Sequence, residues 1–301
     1  MSIFTGSGVA LVTPFKNNVI DYTALKKLIQ WHLEAGTDAI ICCGTTGEAS
    51  TLSAIEKKDI VRFTVETVEG KVPVIAGAGT NNTSESVKLA KEYADAGANG
   101  LLVVTPYYNK ATQTGLRRHY ETIADTTSLP VILYSVKSRT VLNIDPDTVI
   151  SLSRHPNIVG IKEASSNISQ IAEIATYIEK CKADDNNISF DLYSGNDDQT
   201  IPIMSLGGIG CISTVANIIP AEYHLMTSLW LQGRHADAVK MQLAMLPLIK
   251  TLFREVNPIP VKAALNMMNL IEREYRMPLC DPSNETMYLV YSEMVRYGIK
   301  M

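Results

Sequence analysis

Lys162 stands in the run IVGIKEA, where its nearest neighbours are mostly small or apolar. As a strand, this run alternates with period two, so Gly160, Lys162 and Ala164 share one face and Val159, Ile161 and Glu163 the other. The bulky apolar pair suits a layer covered by helices, which leaves Lys162 to point into a barrel. An ammonium group buried there loses hydration, and that favours the neutral amine that attacks a carbonyl. The chemistry this predicts is an imine with a small keto acid. A strand lysine can instead snorkel to the rim or pair with a carboxylate, but Glu163 falls on the opposite face.

Tyr134 ends PVILYSV, the apolar run before that of Lys162, so its phenol can move protons as a carbinolamine becomes an imine. Taken alone, a tyrosine there is equally at home as an interfacial core residue. Gly44-Thr45-Thr46-Gly47 offers two hydroxyls and backbone N–H groups to a carboxylate, although the same residues also make a plain tight turn. Arg139 follows Tyr134 and can fork onto a carboxylate; as a solitary loop residue it would be a solvated arginine. The histidines, His32, His119, His155, His224 and His235, show no ligand spacing and fall in helical or loop patterns that suit surface or helix roles, so no metal is expected, and because an imine-forming lysine supplies its own electron sink no cofactor is expected.

Positioning such groups requires a scaffold, and eight apolar, β-branched runs supply it. They are GVALVTPF from Gly8, DAIICCGTTGE from Asp38, VPVIAGAGT from Val72, GLLVVTPYYN from Gly100, PVILYSV from Pro130, IVGIKEAS from Ile158, FDLYSGND from Phe190 and GIGCISTVAN from Gly208. Helical patterns separate them, as in DYTALKKLIQWHLEAG, with Asp21 as cap and Gly36 as stop. Strand and helix in alternation, with strands apolar throughout, predict an α/β fold of the (β/α)8 TIM-barrel type. A doubly wound open sheet would place a glycine-rich phosphate turn after the first strand. GVALVTPF leads instead into Lys16-Asn17-Asn18, and GAGTNN from Gly77 lacks the third glycine of a dinucleotide site.

Strand signals cease at about residue 233, giving a catalytic barrel over 1–233 and a C-terminal helical extension over 234–301 whose Met and Leu stripes read as core packing. Thr45, Thr46, Asn81, Tyr107, Tyr108, Tyr134, Arg139, Lys162 and the Gly195-Asn196 pair all fall at carboxyl ends of the predicted strands, where barrels build their active sites.

With 27 basic and 31 acidic residues among 301, the net charge is -4, and no basic run recommends a nucleic acid or an anionic membrane as partner. The start MSIFTGSGVA has neither a basic leader nor an apolar segment, and no stretch approaches the roughly 18 apolar residues of a membrane span, so a cytoplasmic protein is expected. Cys42, Cys43, Cys181, Cys211 and Cys280 form no C-x-x-C pair; they fit reduced thiols, with Cys42, Cys43 and Cys211 in the core.

GTTGE at Gly44, VIAGAGTNNT at Val74, TPYYN at Thr105, Y-x-V-x-S-R-T at Tyr134, GIKEAS at Gly160, SGNDD at Ser194 and NPIPVK at Asn257 occur in this order along nearly the whole chain. With these motifs the sequence resembles the dihydrodipicolinate synthase family, within the pyruvate-dependent aldolases that include N-acetylneuraminate lyase. The resemblance implies that Lys162 forms a Schiff base with pyruvate and that Tyr134, Thr45 and Tyr108 make a proton relay. It also implies that Thr46 meets the pyruvate carboxylate, that Arg139 meets the carboxylate of L-aspartate 4-semialdehyde, and that Gly195 and Ile212 line the site. The product would be 4-hydroxy-tetrahydrodipicolinate, in the opening step of diaminopimelate and lysine biosynthesis. Most members are homotetramers, dimers of dimers in which the second tyrosine of TPYYN enters a neighbour's site, so Tyr108 is expected to act in trans.

Two departures accompany the resemblance. The family usually has Asn and Pro where this chain has Ser135 and Lys137, so the loop before Arg139 lacks a proline that would restrict it. In lysine-sensitive relatives an allosteric site is built from residues matching Asn81, Glu85 and Tyr107 with two histidines, and those two positions here read Ala54 and Lys57. Weak feedback inhibition is therefore expected. Other readings are a pyruvate aldolase acting on N-acetylneuraminate or a 2-keto-3-deoxy sugar acid, and a non-catalytic barrel that binds a keto acid.

Overall fold

The computed structural model describes residues 2–184 and 189–301. Among these residues eight parallel strands close on themselves: β1 (Gly6–Ala10), β2 (Ala39–Cys42), β3 (Val74–Gly77), β4 (Gly100–Val104), β5 (Val131–Ser135), β6 (Ile158–Glu163), β7 (Asp191–Ser194) and β8 (Gly210–Ser213), with β8 hydrogen-bonded back to β1. The (β/α)8 barrel is therefore present as the alternation predicts. Around it run α1 (Tyr22–Glu34), α2 (Ala54–Val68), α3 (Thr83–Asp95) and α4 (Gln113–Ala124), then two short helices between β5 and β6, α5 (Lys137–Thr140) and α6 (Pro146–Leu152). The ring is completed by α7 (Ile168–Asp184), α8 (Thr200–Ser205) and α9 (Pro220–Leu231), and the C-terminal helices are α10 (His235–Leu252), α11 (Ile259–Met267) and α12 (Asn284–Tyr297). An antiparallel hairpin, Phe15–Lys16 with Val19–Ile20, interrupts the passage from β1 to α1.

Local chemistry sets the helix ends. Asp21 accepts the Ala24 N–H at 2.9 Å, Ser53 and Glu56 form a reciprocal capping box on α2, and Gly36 leaves α1 with φ at 84°. The strands are shorter than the apolar runs suggest. The first begins at Gly6 rather than Gly8, and GTTGE, TPYYN and, after Ser194, Gly195–Asp197 leave the ladder. Apolar content marks a buried run but not where its hydrogen-bond ladder ends. Beyond the ladder the chain continues into 3-10 turns at Ala49–Thr51 and Asp197–Gln199, which form part of the carboxyl-end rim of the barrel.

Two apolar layers hold the barrel. Ile41, Ile75, Leu102, Ile132, Tyr193 and Ile212 fill its lumen, each buried aliphatic chain stabilising by about 1.5–3 kcal/mol. Phe4 closes the amino end, stacked on Tyr193 at 4.6 Å while the Tyr193 hydroxyl donates to the Phe4 carbonyl at 2.8 Å. Between strands and helices lie Val9, Ile40, Leu101, Leu133 and Ile161, with Cys42, Cys43 and Cys211 buried among them. Of the surface or helix roles expected of the histidines, His32 and His119 take the helix one. Each sits on the buried face of its helix, and burial pushes His32 down to about 3 and His119 down to about 4. No helix among the described residues is long and apolar enough to cross a membrane.

Candidate active site

Parallel register places the site. Tyr134 on β5 pairs with Lys162 on β6, which pairs with Tyr193 on β7, so the three side chains are consecutive neighbours on the lumen face. Tyr193 belongs to the floor, and the other two form a close couple: the Lys162 amine lies over the face of the Tyr134 ring, 4.3 Å from its centroid. Both are nearly sealed from solvent, at 5% and 7% exposure. A site this dry strengthens each polar interaction made in it.

Glu163 is on the other side of the strand. Its carboxylate accepts the Ser165 N–H at 2.6 Å and the Gln170 amide at 3.3 Å, while burial pushes its carboxyl up against those bonds. Lys162 thus has no acidic partner on β6. Gly195, half-buried after β7, donates its N–H to the Glu163 carbonyl at 2.7 Å and lets the lysine stem pass; a Cβ there would lie 3.1 Å from Lys162 Cγ. Ile212, 1% exposed, lines the same lumen from β8.

Above the couple opens a cavity of about 390 Å³, whose wall includes Thr45, Tyr107, Tyr134, Arg139 and Asn257. Lys162 is not on that wall and is reached across the Tyr134 ring. Thr45 faces the cavity, half-buried, whereas Thr46 is 2% exposed with its hydroxyl already engaged. It receives the Asn257 amide at 2.9 Å and lies 3.2 Å from the Thr214 hydroxyl. Arg139 is held at the rim by donating to the Asn257 carbonyl at 3.0 Å.

Tyr108 is not brought to this pocket. It is 90% exposed with φ at 74° and projects away from its own barrel, while Tyr107, 38% exposed, lines the cavity. Lys57 is half-buried on the same wall and Ala54 is exposed. Asn81 and Glu85 are half-buried near the start of α3, outside the lining, and the Asn81 carbonyl accepts the Asn109 amide at 2.8 Å.

Sequence reasoning missed what the C-terminal helices contribute. Asn257 and Lys262 lie in a stretch read only as a motif and as core packing, yet Asn257 binds Thr46 and Lys262 binds Glu48 at 2.6 Å. The available signal was Lys262 itself, a single charge in the otherwise uncharged α11 run IPVKAALNM. Asp197 was also overlooked. Fully buried, with its carboxyl pushed up by that burial, it accepts the N–H groups of Thr214 and Val215 at 3.1 Å each and so fixes the loop that holds Thr46.

Comparison with known proteins places this geometry in context. Residues 3–295 match the family model described as the Dihydrodipicolinate synthetase family. The 4-hydroxy-tetrahydrodipicolinate synthase of a Thermoanaerobacter species is 51% identical over 99% of this chain and 98% of its own, and that of Clostridium novyi is 47% identical over the same shares. The crystal structure of dihydrodipicolinate synthase from Thermotoga maritima superposes with a TM-score of 0.95 at 42% identity, covering 99% of both chains. That from Aquifex aeolicus gives 0.94 at 41% identity, covering 98% of this chain and 99% of its own.

Proposed function

The chain belongs to the dihydrodipicolinate synthetase family, and from that premise we propose that it catalyses the 4-hydroxy-tetrahydrodipicolinate synthase reaction. Pyruvate and L-aspartate 4-semialdehyde are the substrates, and Lys162 is the nucleophile. The observation that carries the reading is the Lys162 amine, buried in the lumen against Tyr134 with Glu163 turned away.

The Lys162 amine attacks the pyruvate ketone; loss of water leaves an imine whose nitrogen withdraws electrons from the methyl carbon. Removal of a methyl proton gives the enamine, whose carbon bonds to the aldehyde carbon while the aldehyde oxygen takes a proton. The amine of the second substrate then attacks the imine carbon, closes the ring and expels Lys162. Tyr134 is placed to carry protons in these steps, with Thr45 above it in the cavity and Tyr108 supplied by a neighbouring chain. Because the Thr46 hydroxyl is occupied by Asn257 and Thr214, the pyruvate carboxylate falls to the backbone N–H groups of the Thr45–Thr46 turn. Arg139, at the rim, takes the carboxylate of the semialdehyde, and Gly195 and Ile212 shape the wall behind the imine. The electron sink is the imine itself, so no cofactor enters. We place the protein in the cytosol as a homotetramer built from dimers that share sites through Tyr108.

Borohydride reduction in the presence of pyruvate, followed by peptide mass analysis, tests the reading. The expected adduct is on Lys162, and Lys162→Ala should lose it together with turnover in a coupled assay of pyruvate and L-aspartate 4-semialdehyde. An adduct on another residue, or turnover retained in Lys162→Ala, would refute it. The same assay with N-acetylneuraminate and 2-keto-3-deoxy sugar acids should show little cleavage.

A further inference from the structure

The Gly44–Glu48 turn is closed by the Glu48 N–H on the Thr45 carbonyl at 3.1 Å, and it is entered and left by non-glycine residues in the left-handed region, Cys43 and Glu48, both with φ at 53°. Backbone of this kind persists only where its surroundings hold it. The hold comes from the other end of the chain. Glu48 and Lys262, 214 positions apart, meet at 2.6 Å with both side chains at 0% exposure. The second carboxylate oxygen accepts the Arg276 N–H at 3.2 Å, and the ammonium group lies 4.3 Å from the Phe15 ring centroid and 5.3 Å from that of Tyr275. Asn257, on the same C-terminal stretch, grips Thr46 two residues before Glu48. Residues 257–262 therefore clamp the turn at Thr46 and at Glu48, beside Thr45, whose side of the turn faces the cavity.

A buried ion pair is a poor source of net stability, since desolvation offsets most of its attraction; what it supplies is one geometry. We propose that Glu48 and Lys262 are positioning residues that set the pitch of the turn, so that Thr45 meets Tyr134 across the cavity and can pass it protons. This rests on the reading of Thr45 as part of the proton relay. It makes the C-terminal helices part of the catalytic apparatus, acting at the barrel mouth without touching substrate.

Three variants test it: Lys262→Met, the double variant Glu48→Gln/Lys262→Met, and Glu48→Asp, each followed by thermal midpoint, kcat and KM for pyruvate. Lys262→Met leaves a buried carboxylate without its partner and lowers both midpoint and kcat. The double variant removes both charges, so its midpoint returns towards that of the unaltered protein, while kcat stays about tenfold or more down and KM for pyruvate changes by less than about threefold. A double variant that recovers kcat along with its midpoint would overturn the proposal, because the pair would then be structural only. Glu48→Asp keeps both charges and shortens the reach by one methylene, so it supplies the same reading if the double variant does not fold. A fall in its kcat at an unchanged midpoint supports positioning, and an unchanged kcat refutes it. Borohydride trapping of pyruvate on the unaltered protein, run alongside, tests the Lys162 reading separately.

Discussion

Gly195→Ala perturbs the nucleophile without touching it chemically. The added Cβ would stand 2.8 Å from the Ala164 Cβ, 3.0 Å from the Glu163 carbonyl oxygen and 3.1 Å from Lys162 Cγ. The Gly195 N–H is bonded to that same carbonyl at 2.7 Å, so the two backbones cannot part without giving up a buried hydrogen bond. The lysine stem yields by several tenths of an ångström to reach the ordinary carbon contact of about 3.5–4 Å, while the 2.8 Å contact with the Ala164 Cβ is relieved only by a shift of the backbone beside Lys162. Overpacking of this kind costs about 1–3 kcal/mol of stability, a thermal shift of only a few degrees in a chain of this length. Catalysis is more sensitive, because a misplacement of about 1 Å can cost about 100-fold. We expect kcat/KM for pyruvate to fall about 10- to 100-fold, equivalent to about 1.4–2.7 kcal/mol of transition-state stabilisation. The assay is the rate of borohydride-trapped adduct formation on Lys162, with the thermal midpoint as a check on folding. A trapping rate within about twofold of the unaltered enzyme would show that Lys162 has slack that its packing does not suggest, and would refute the reasoning.

Three further outcomes follow from named groups. Mixing a Lys162→Ala chain with a Tyr108→Phe chain should restore about a quarter of full activity if sites are shared in dimers, since half the dimers are mixed and each mixed dimer has one intact site. No recovery after proven subunit exchange would place Tyr108 in its own pocket or outside the reaction. L-Lysine should inhibit poorly, with the half-point above about 1 mM, because Lys57, half-buried, lines the same cavity as Tyr107 and adds a like charge there to a cationic ligand; sub-millimolar inhibition would show the remaining contacts suffice. His32 is neutral in the fold, its pKa held at about 3 against an ordinary 6.5, so the unfolded chain takes up its proton first as pH falls. Its contribution is full above about pH 6.5 and is lost progressively towards about pH 3, which amounts to about 2 kcal/mol between pH 7 and 5. Urea midpoints of the unaltered protein and His32→Gln at those two pH values decide it: the variant should lose less, and equal losses would count against a buried neutral imidazole.

The barrel was legible because each strand is buried on both faces and writes itself as an apolar run, while the helix caps at Asp21 and Ser53 are local chemistry. The two faces of β6 were legible too. Period-two alternation separates Lys162 from Glu163, and the structure has the first against Tyr134 and the second against Ser165 and Gln170. What the sequence does not write is contact at long separation. Thr46 and Asn257 are 211 residues apart and Glu48 and Lys262 are 214 apart, and no periodicity in α11 says which turn of the barrel it covers. The outward turn of Tyr108 was implied by the family resemblance alone, and the residues themselves do not write it. It depends on a left-handed backbone at a residue type that seldom adopts one, which composition cannot announce.

The departures at Ser135 and Lys137 show how a loop can be fixed without a proline to restrict it. Without proline at 137, the chain after β5 still turns sharply, because Lys137–Thr140 forms one helical turn with Arg139 N–H and Thr140 N–H both on the Val136 carbonyl, at 2.9 and 3.1 Å. The Thr140 hydroxyl locks that turn to its surroundings. It accepts from the Thr105 hydroxyl at 2.8 Å and lies 3.0 Å from the Leu142 carbonyl, tying the loops after β4 and β5 together. Ser135, fully buried, reaches towards Asn143 at 3.5 Å, and Asn143 in turn donates to Gln170 at 2.8 Å, the residue that holds Glu163. The smaller side chain at 135 is thus bridged to β6 through two amides. Arg139 ends where the Asn257 carbonyl can hold it, and Lys137, exposed, enters the arrangement through its carbonyl, which accepts the Val141 N–H at 2.9 Å. Hydrogen bonding from Thr140 and Asn257 therefore does for this loop what a fixed φ would do, so the altered motif is compatible with the carboxylate-binding role proposed for Arg139.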